Sequence, residues 1–98
     1  MIVRIVKMQV NESNKVLFKQ TLKDYQPLLK KQKGCMQIDM LNDKKIKDIY
    51  YSYTIWDNEE NLKKYKNSDF YKELSSKVLP LCEKEPQAWT VDEAFEKP

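Results

Sequence analysis

Residues 2–10, IVRIVKMQV, crowd apolar and β-branched side chains together and predict a strand. From about Glu12 to Lys33 the period changes. Phe18, Leu22, Tyr25 and Leu29 recur at helical spacing, with Leu17, Thr21 and Leu28 beside them, giving one apolar stripe on a helix. Asn11 to Asn14 offer capping side chains at its start. Pro27 lies inside it and predicts a kink, because it lacks the N–H that would bond Lys23. Gly34 stands where a helix C′ residue takes a left-handed conformation.

Residues 35–42, CMQIDMLN, alternate and end in the turn signal Asn42-Asp43. A lysine-rich turn leads to 48–56, DIYYSYTIW, the strongest strand pattern in the chain. Asp57-x-x-Glu60 reads as a capping box before a short helix through Leu62 and Tyr65. Ser68 caps a second helical segment carrying Phe70, Leu74, Val78 and Leu81, whose last turn Pro80 should bend. Glu85-Pro86 ends it, and QAWTVDEAF (87–95) reads as the last strand. The order βαββαβ predicts an α+β, ferredoxin-like fold: a four-stranded antiparallel sheet with its helices on one face. The first and third strands, the most apolar, should be central.

The faces of those two strands carry a further expectation. In the third, Ile49, Tyr51, Tyr53 and Ile55 point one way, and Tyr50, Ser52, Thr54 and Trp56 the other. The first is also apolar on both faces, with Val3 and Ile5 opposite Ile2, Val6, Met8 and Val10. A half-solvated antiparallel sheet alternates apolar with polar. Helices cover one face only, so a second copy packed sheet to sheet is expected on the other, as a two-fold homodimer.

Ninety-eight residues, 41% hydrophobic and 34% charged, predict one globular domain spanning 1–98. No apolar run approaches a membrane span, and the N-terminus is too polar and short for a signal peptide, so a cytoplasmic protein is expected. The net charge of +3 is interleaved. Its local clusters, Lys30, Lys31 and Lys33 and then Lys44, Lys45 and Lys47, fall at element ends, where they suit helix dipoles and a solvated turn rather than nucleic acid. One glycine rules out glycine-rich phosphate loops. The lack of histidine rules out serine–histidine and cysteine–histidine catalysis, HExxH zinc sites and a histidine-ligated haem. Cys35 and Cys82 stand far apart and read as reduced thiols, so no metal site is expected.

The run Tyr53-Thr54-Ile55-Trp56-Asp57-Asn58-Glu59-Glu60-Asn61-Leu62, followed by Tyr65 and Asn67-Ser68-Asp69-Phe70, resembles the antibiotic biosynthesis monooxygenase family. So do the opening IVRIV, the Lys33-Gly34-Cys35 junction and Pro86-Gln87-Ala88-Trp89. The resemblance implies a dimeric α+β barrel, with a pocket between sheet and helices in each subunit. It also implies oxidation of aromatic polyketides or quinols by molecular oxygen without flavin or metal. Trp56 matches the tryptophan that borders the pocket in polyketide-oxidising members, and Ser52 a position held there by an asparagine. Haem-degrading relatives need a second tryptophan and a histidine where this chain has Tyr65 and Ser75, so haem degradation is not expected.

Cofactor-free oxygenation needs an electron-rich phenol, anthrone or quinol, a dry cavity and hydrogen bonds that favour the substrate anion. Trp56 and Ser52 are the candidate catalytic residues, and Arg4, Tyr50, Thr54, Tyr65 and Phe70 the candidate substrate-binding ones. Each also has a plain structural reading: Trp56 as a core plug, Tyr65 and Phe70 as helix core, Ser52 and Thr54 as strand residues, Arg4 as a dimer ion-pair partner. Asp39 would serve as a base if buried, and Trp89 belongs either to the pocket or to the dimer contact. Two other functions stay open: a non-catalytic small-molecule-binding or regulatory dimer, and another dimeric-barrel enzyme such as an isomerase or a dismutase-like oxidoreductase.

Overall fold

A computed structural model describes residues 1–92. Four antiparallel strands, β1 (Ile2–Gln9), β2 (Cys35–Asn42), β3 (Ile49–Trp56) and β4 (Gln87–Asp92), form one sheet in the order β2-β3-β1-β4. The two strands most apolar on both faces are therefore central. Three helices, α1 (Lys15–Lys30), α2 (Glu59–Lys66) and α3 (Asp69–Val78), complete the ferredoxin-like α+β fold. Short 3-10 turns at Glu12–Asn14 and Leu79–Leu81 precede α1 and follow α3, the second at Pro80 as its missing N–H suggests. The expected last strand runs to 95; residues 93–95 lie outside the described residues.

Several local expectations are corrected. Neither Asn11 nor Asn14 caps with its side chain: Ser13 donates to the Asn11 amide oxygen, and the Asn14 amide donates to the Leu81 carbonyl across the fold. Helix α1 closes at Lys30, so Gly34 falls beyond its C′ position. It is left-handed (φ +87°) in the turn into β2. Asn58, not Asp57, caps α2 by accepting from the Asn61 N–H, while Asp57 accepts from the Asn61 side chain. Ser68 caps α3 as expected, accepting from the Tyr71 N–H. Val10 makes only an isolated bridge to Cys82. Both cysteines are free and half-buried, and burial raises both thiols above their ordinary value.

Register sorts the sheet faces. Arg4 opposes Thr54, Met8 opposes Tyr50, and Met40 opposes Ser52; these face the helices. Two apolar clusters sit there. Met8, Val10, Phe18, Tyr50, Val78 and Leu81 fill one end, and Leu29, Trp56, Leu62 and Tyr65 the other. The opposite face pairs Ile5 with Tyr53 and Trp89, Val3 with Ile55 and Val91, and Leu41 with Tyr51. Trp89 and Val91 stay 45% and 43% exposed in the single chain. No helix among the described residues is long and apolar enough to cross a membrane.

Candidate functional site

Between the two apolar clusters the helices stand off the sheet and leave a cavity of about 410 Å³. That lies within the roughly 300–1,000 Å³ of small-molecule sites. The sheet supplies its floor: Arg4, Val6 and Met8 from β1, Ile38 and Met40 from β2, Ser52 and Thr54 from β3. Helix α1 contributes Leu22, Tyr25, Gln26 and Leu29, and α3 Tyr71, Leu74, Ser75 and Val78, each set at i, i+3, i+4 and i+7 on one face. Glu85, Pro86 and Ala88 form the rim, and Glu85 is exposed.

Arg4 is the chemical centre of this wall. It is only 9% exposed, yet it lies on a central strand among apolar side chains. Its Nη2 donates to the Tyr71 hydroxyl at 3.2 Å. Tyr71 meets Tyr65 edge to face at 5.0 Å, and Tyr65 stacks on Trp56 at 4.7 Å. Trp56 Nε1 donates to Thr54 Oγ1 at 2.9 Å, and Thr54 Oγ1 makes a long 3.4 Å bond to the Arg4 carbonyl. The five residues close a circuit that holds both the backbone and the guanidinium of Arg4. Such an enclosed arrangement fixes a charge with little reorganisation. Burial pushes the Tyr65 hydroxyl well above the usual tyrosine range; Tyr71 adds to the shift and Arg4 opposes it. Tyr65 is thus a neutral donor at neutral pH rather than a base.

The structure separates the sequence candidates. Arg4, Ser52, Thr54 and Tyr65 line the cavity together. Trp56 does not; it is fully buried one layer behind, against Tyr65 and Thr54. Tyr50 packs on Phe18 at 4.9 Å in the adjoining cluster, outside the cavity wall. Phe70 turns between Tyr25 and Tyr65, also outside it, because the cavity-facing stripe of α3 begins one residue later, at Tyr71. Asp39 opposes Tyr53 on the outer face and accepts from Gln37, and Trp89 opposes Ile5 there. Tyr71, Gln26 and Ser75 were missed. The Ser68 cap puts both Phe70 and Tyr71 in the first turn of α3, each at helical spacing from Leu74 and Val78, so no signal in the sequence singles out Tyr71.

The family model for antibiotic biosynthesis monooxygenases matches residues 1–77, from β1 through nearly all of α3. The chain belongs to the antibiotic biosynthesis monooxygenase family. Solved structures agree on the fold. A candidate antibiotic biosynthesis monooxygenase from Nitrosomonas europaea is 16% identical with a TM-score of 0.86, over 97% of this chain and 100% of that one. A conserved protein from Methanosarcina mazei Go1 is 22% identical with a TM-score of 0.85, over 93% and 91%. A further candidate of the family, from Deinococcus radiodurans, is 10% identical with a TM-score of 0.89, over 100% and 97%. No curated protein matches the chain. At these identities the structural likeness establishes the family's fold and leaves the chemistry to the cavity.

Proposed function

We propose that this member of the antibiotic biosynthesis monooxygenase family is a cofactor-independent monooxygenase acting on a small aromatic substrate, quinol- or polyketide-like, with O2. The carrying observation is a buried guanidinium, held by Tyr71, at the wall of an apolar cavity. A cation in low dielectric stabilises the anion of a phenol or anthrone over its neutral form. The anion passes one electron to O2, and the substrate radical combines with superoxide to form a C–O bond. For an anthrone, cleavage of the O–O bond then leaves one oxygen as a carbonyl and releases the other as water. The CH2 group loses four electrons and O2 gains four. The protein's part is to bind the ring, exclude water and favour the anion.

The test is oxygen uptake by the metal-stripped protein with hydroquinones and anthrones, against each compound's autoxidation rate. Uptake well above that background is expected, and Arg4→Met should lower it about 10²-fold. A second reading, a non-catalytic binding protein, has its own support. The cavity's only carboxylate among the described residues, Glu85, sits exposed at the rim, so its interior offers no evident base. Saturable binding without uptake above autoxidation would favour that reading.

The proposal includes a homodimer through the outer sheet face. Ile5, Tyr53, Trp89, Val3, Ile55 and Val91 form a contiguous apolar surface there, unusual for a monomer. The purified protein is expected to elute at twice the chain mass in light-scattering chromatography. Tyr53→Asp, which places a charge at the centre of that face, should give a monomer. A monomeric wild type at micromolar concentration would refute the dimer.

A further inference from the structure

We infer that the cavity's ligand is an aromatic carboxylic acid, bound as its carboxylate by Arg4 and Tyr71 with its ring among the apolar side chains. This rests on the cavity being the binding site of the function proposed above, and it adds a second functional group to the substrate. Of the chain's 18 basic residues only Arg4 is an arginine. The other basic residues are all lysines, and the one guanidinium is 9% exposed in the cavity wall. A buried charge is costly without an opposite charge. Among the described residues the ion pairs are those of Lys15 and Lys64, and none includes Arg4.

The donor count points the same way. A guanidinium has five N–H donors and no acceptor. One Arg4 donor goes to the Tyr71 oxygen, and the Tyr71 proton has no protein acceptor among the described residues. Neighbouring Arg4 and Tyr71 donors therefore face the cavity with no acceptor between them. Two adjacent donors and a single positive charge suit a planar monoanion with two oxygens. In an ortho-hydroxy acid the two carboxylate oxygens and the phenol oxygen lie on one edge, so the same donors reach the oxygen that ionises, whereas a phosphate dianion would leave surplus charge among Val6, Leu22, Ile38 and Met40. The volume of about 410 Å³ holds one or two rings.

The test compares 2,5-dihydroxybenzoate with 2,5-dihydroxybenzamide and hydroquinone, by titration calorimetry under argon so that binding is read without turnover. The carboxylate is expected to bind the wild type at least roughly tenfold more tightly than either neutral compound. Arg4→Met should abolish that preference, Arg4→Lys should reduce it, and Tyr71→Phe should weaken carboxylate binding several-fold. Thermal melting of the ligand-free variants separates a binding role from a structural one. Arg4→Met is expected to melt at or above the wild type, since it removes an uncompensated buried charge. Equal binding of acid and amide, no binding by any of the three, or a preference that survives in Arg4→Met would overturn the inference. Carboxylate-selective binding with no oxygen uptake would remove the oxygenase reading and leave this one. Uptake on neutral quinols with no preference for the acid would do the reverse.

Discussion

Replacing Trp56 by alanine is expected to cost about 3–5 kcal/mol of folding stability, as deletion of a large buried aromatic side chain does. The indole is fully buried at the end of β3. It stacks on Tyr65 and packs with Leu29 and Leu62, which come from α1 and α2. Its removal opens a void between the sheet and two helices. It also takes away the Nε1 donor that Thr54 accepts, and with it one side of the circuit that holds Arg4. For a chain of this size the melting point should fall by roughly 15–30 °C. Trp56→Phe keeps most of the packing volume and the ring contact. It should cost about 1–2 kcal/mol, chiefly through the lost hydrogen bond, so it is the variant in which activity can be measured on folded protein. Thermal unfolding of both, with oxygen uptake by the phenylalanine variant, checks this. An alanine variant that melts within about 5 °C of the wild type would show that this end of the core collapses readily and that Trp56 is no plug.

Gly34→Ala is the second large effect, expected to cost about 3 kcal/mol or more. Two causes add. The backbone sits at φ +87°, where an L-residue costs about 1–2 kcal/mol. The new methyl carbon would also lie 2.5 Å from Asp57 Oδ1 and 2.6 Å from Asn61 Cβ. Those side chains are not free to swing away. Asn61 Nδ2 donates to both Asp57 oxygens, at 2.9 and 3.2 Å, and the Asp57 N–H donates to the Gly34 carbonyl at 2.9 Å. Making room means parting the turn before β2 from the start of α2, an overpacking cost of about 1–3 kcal/mol. In urea the midpoint should fall with the slope unchanged, because the native surface stays nearly the same. A midpoint equal to the wild type would mean that the turn relaxes to negative φ at no cost.

Much of the architecture was legible in residues 1–92. β-Branched and aromatic runs marked β1 and β3, and their apolar character on both faces put them at the sheet's centre, since only a strand flanked on both sides can bury so much. The stripe Phe18, Leu22, Tyr25, Leu29 marked α1 because a helix returns every third or fourth residue to one face. Caps were less legible. Asp57 and Asn58 are adjacent, and either could accept from the first turn. The choice went to Asn58 because Asp57 is engaged by the Asn61 side chain next to Gly34.

Less of the site was legible, and the reason is geometric. Period 2 places Ser52, Thr54 and Trp56 on one face of β3, and that much follows from the chain alone; the register that brings Arg4 to the same face does not. Whether a side chain on that face meets a cavity or a core depends on where the helices touch the sheet. Trp56 falls under the end of α1 and beside α2, so it is walled in behind Tyr65. Ser52 and Arg4 fall in the gap between the two packed ends, so they face open space. A one-residue rotation of α3 exchanges Phe70 for Tyr71 in the wall, and nothing in the spacing of Leu74 and Val78 selects between them. The sequence by itself determined the order and type of the elements, the alternation of faces within β1 and β3 and the family. Tertiary packing alone decided that a lone arginine would be buried beside a tyrosine with no carboxylate among the described residues to pair it, because the separation between helices and sheet is a property of the assembled layers and of no single segment.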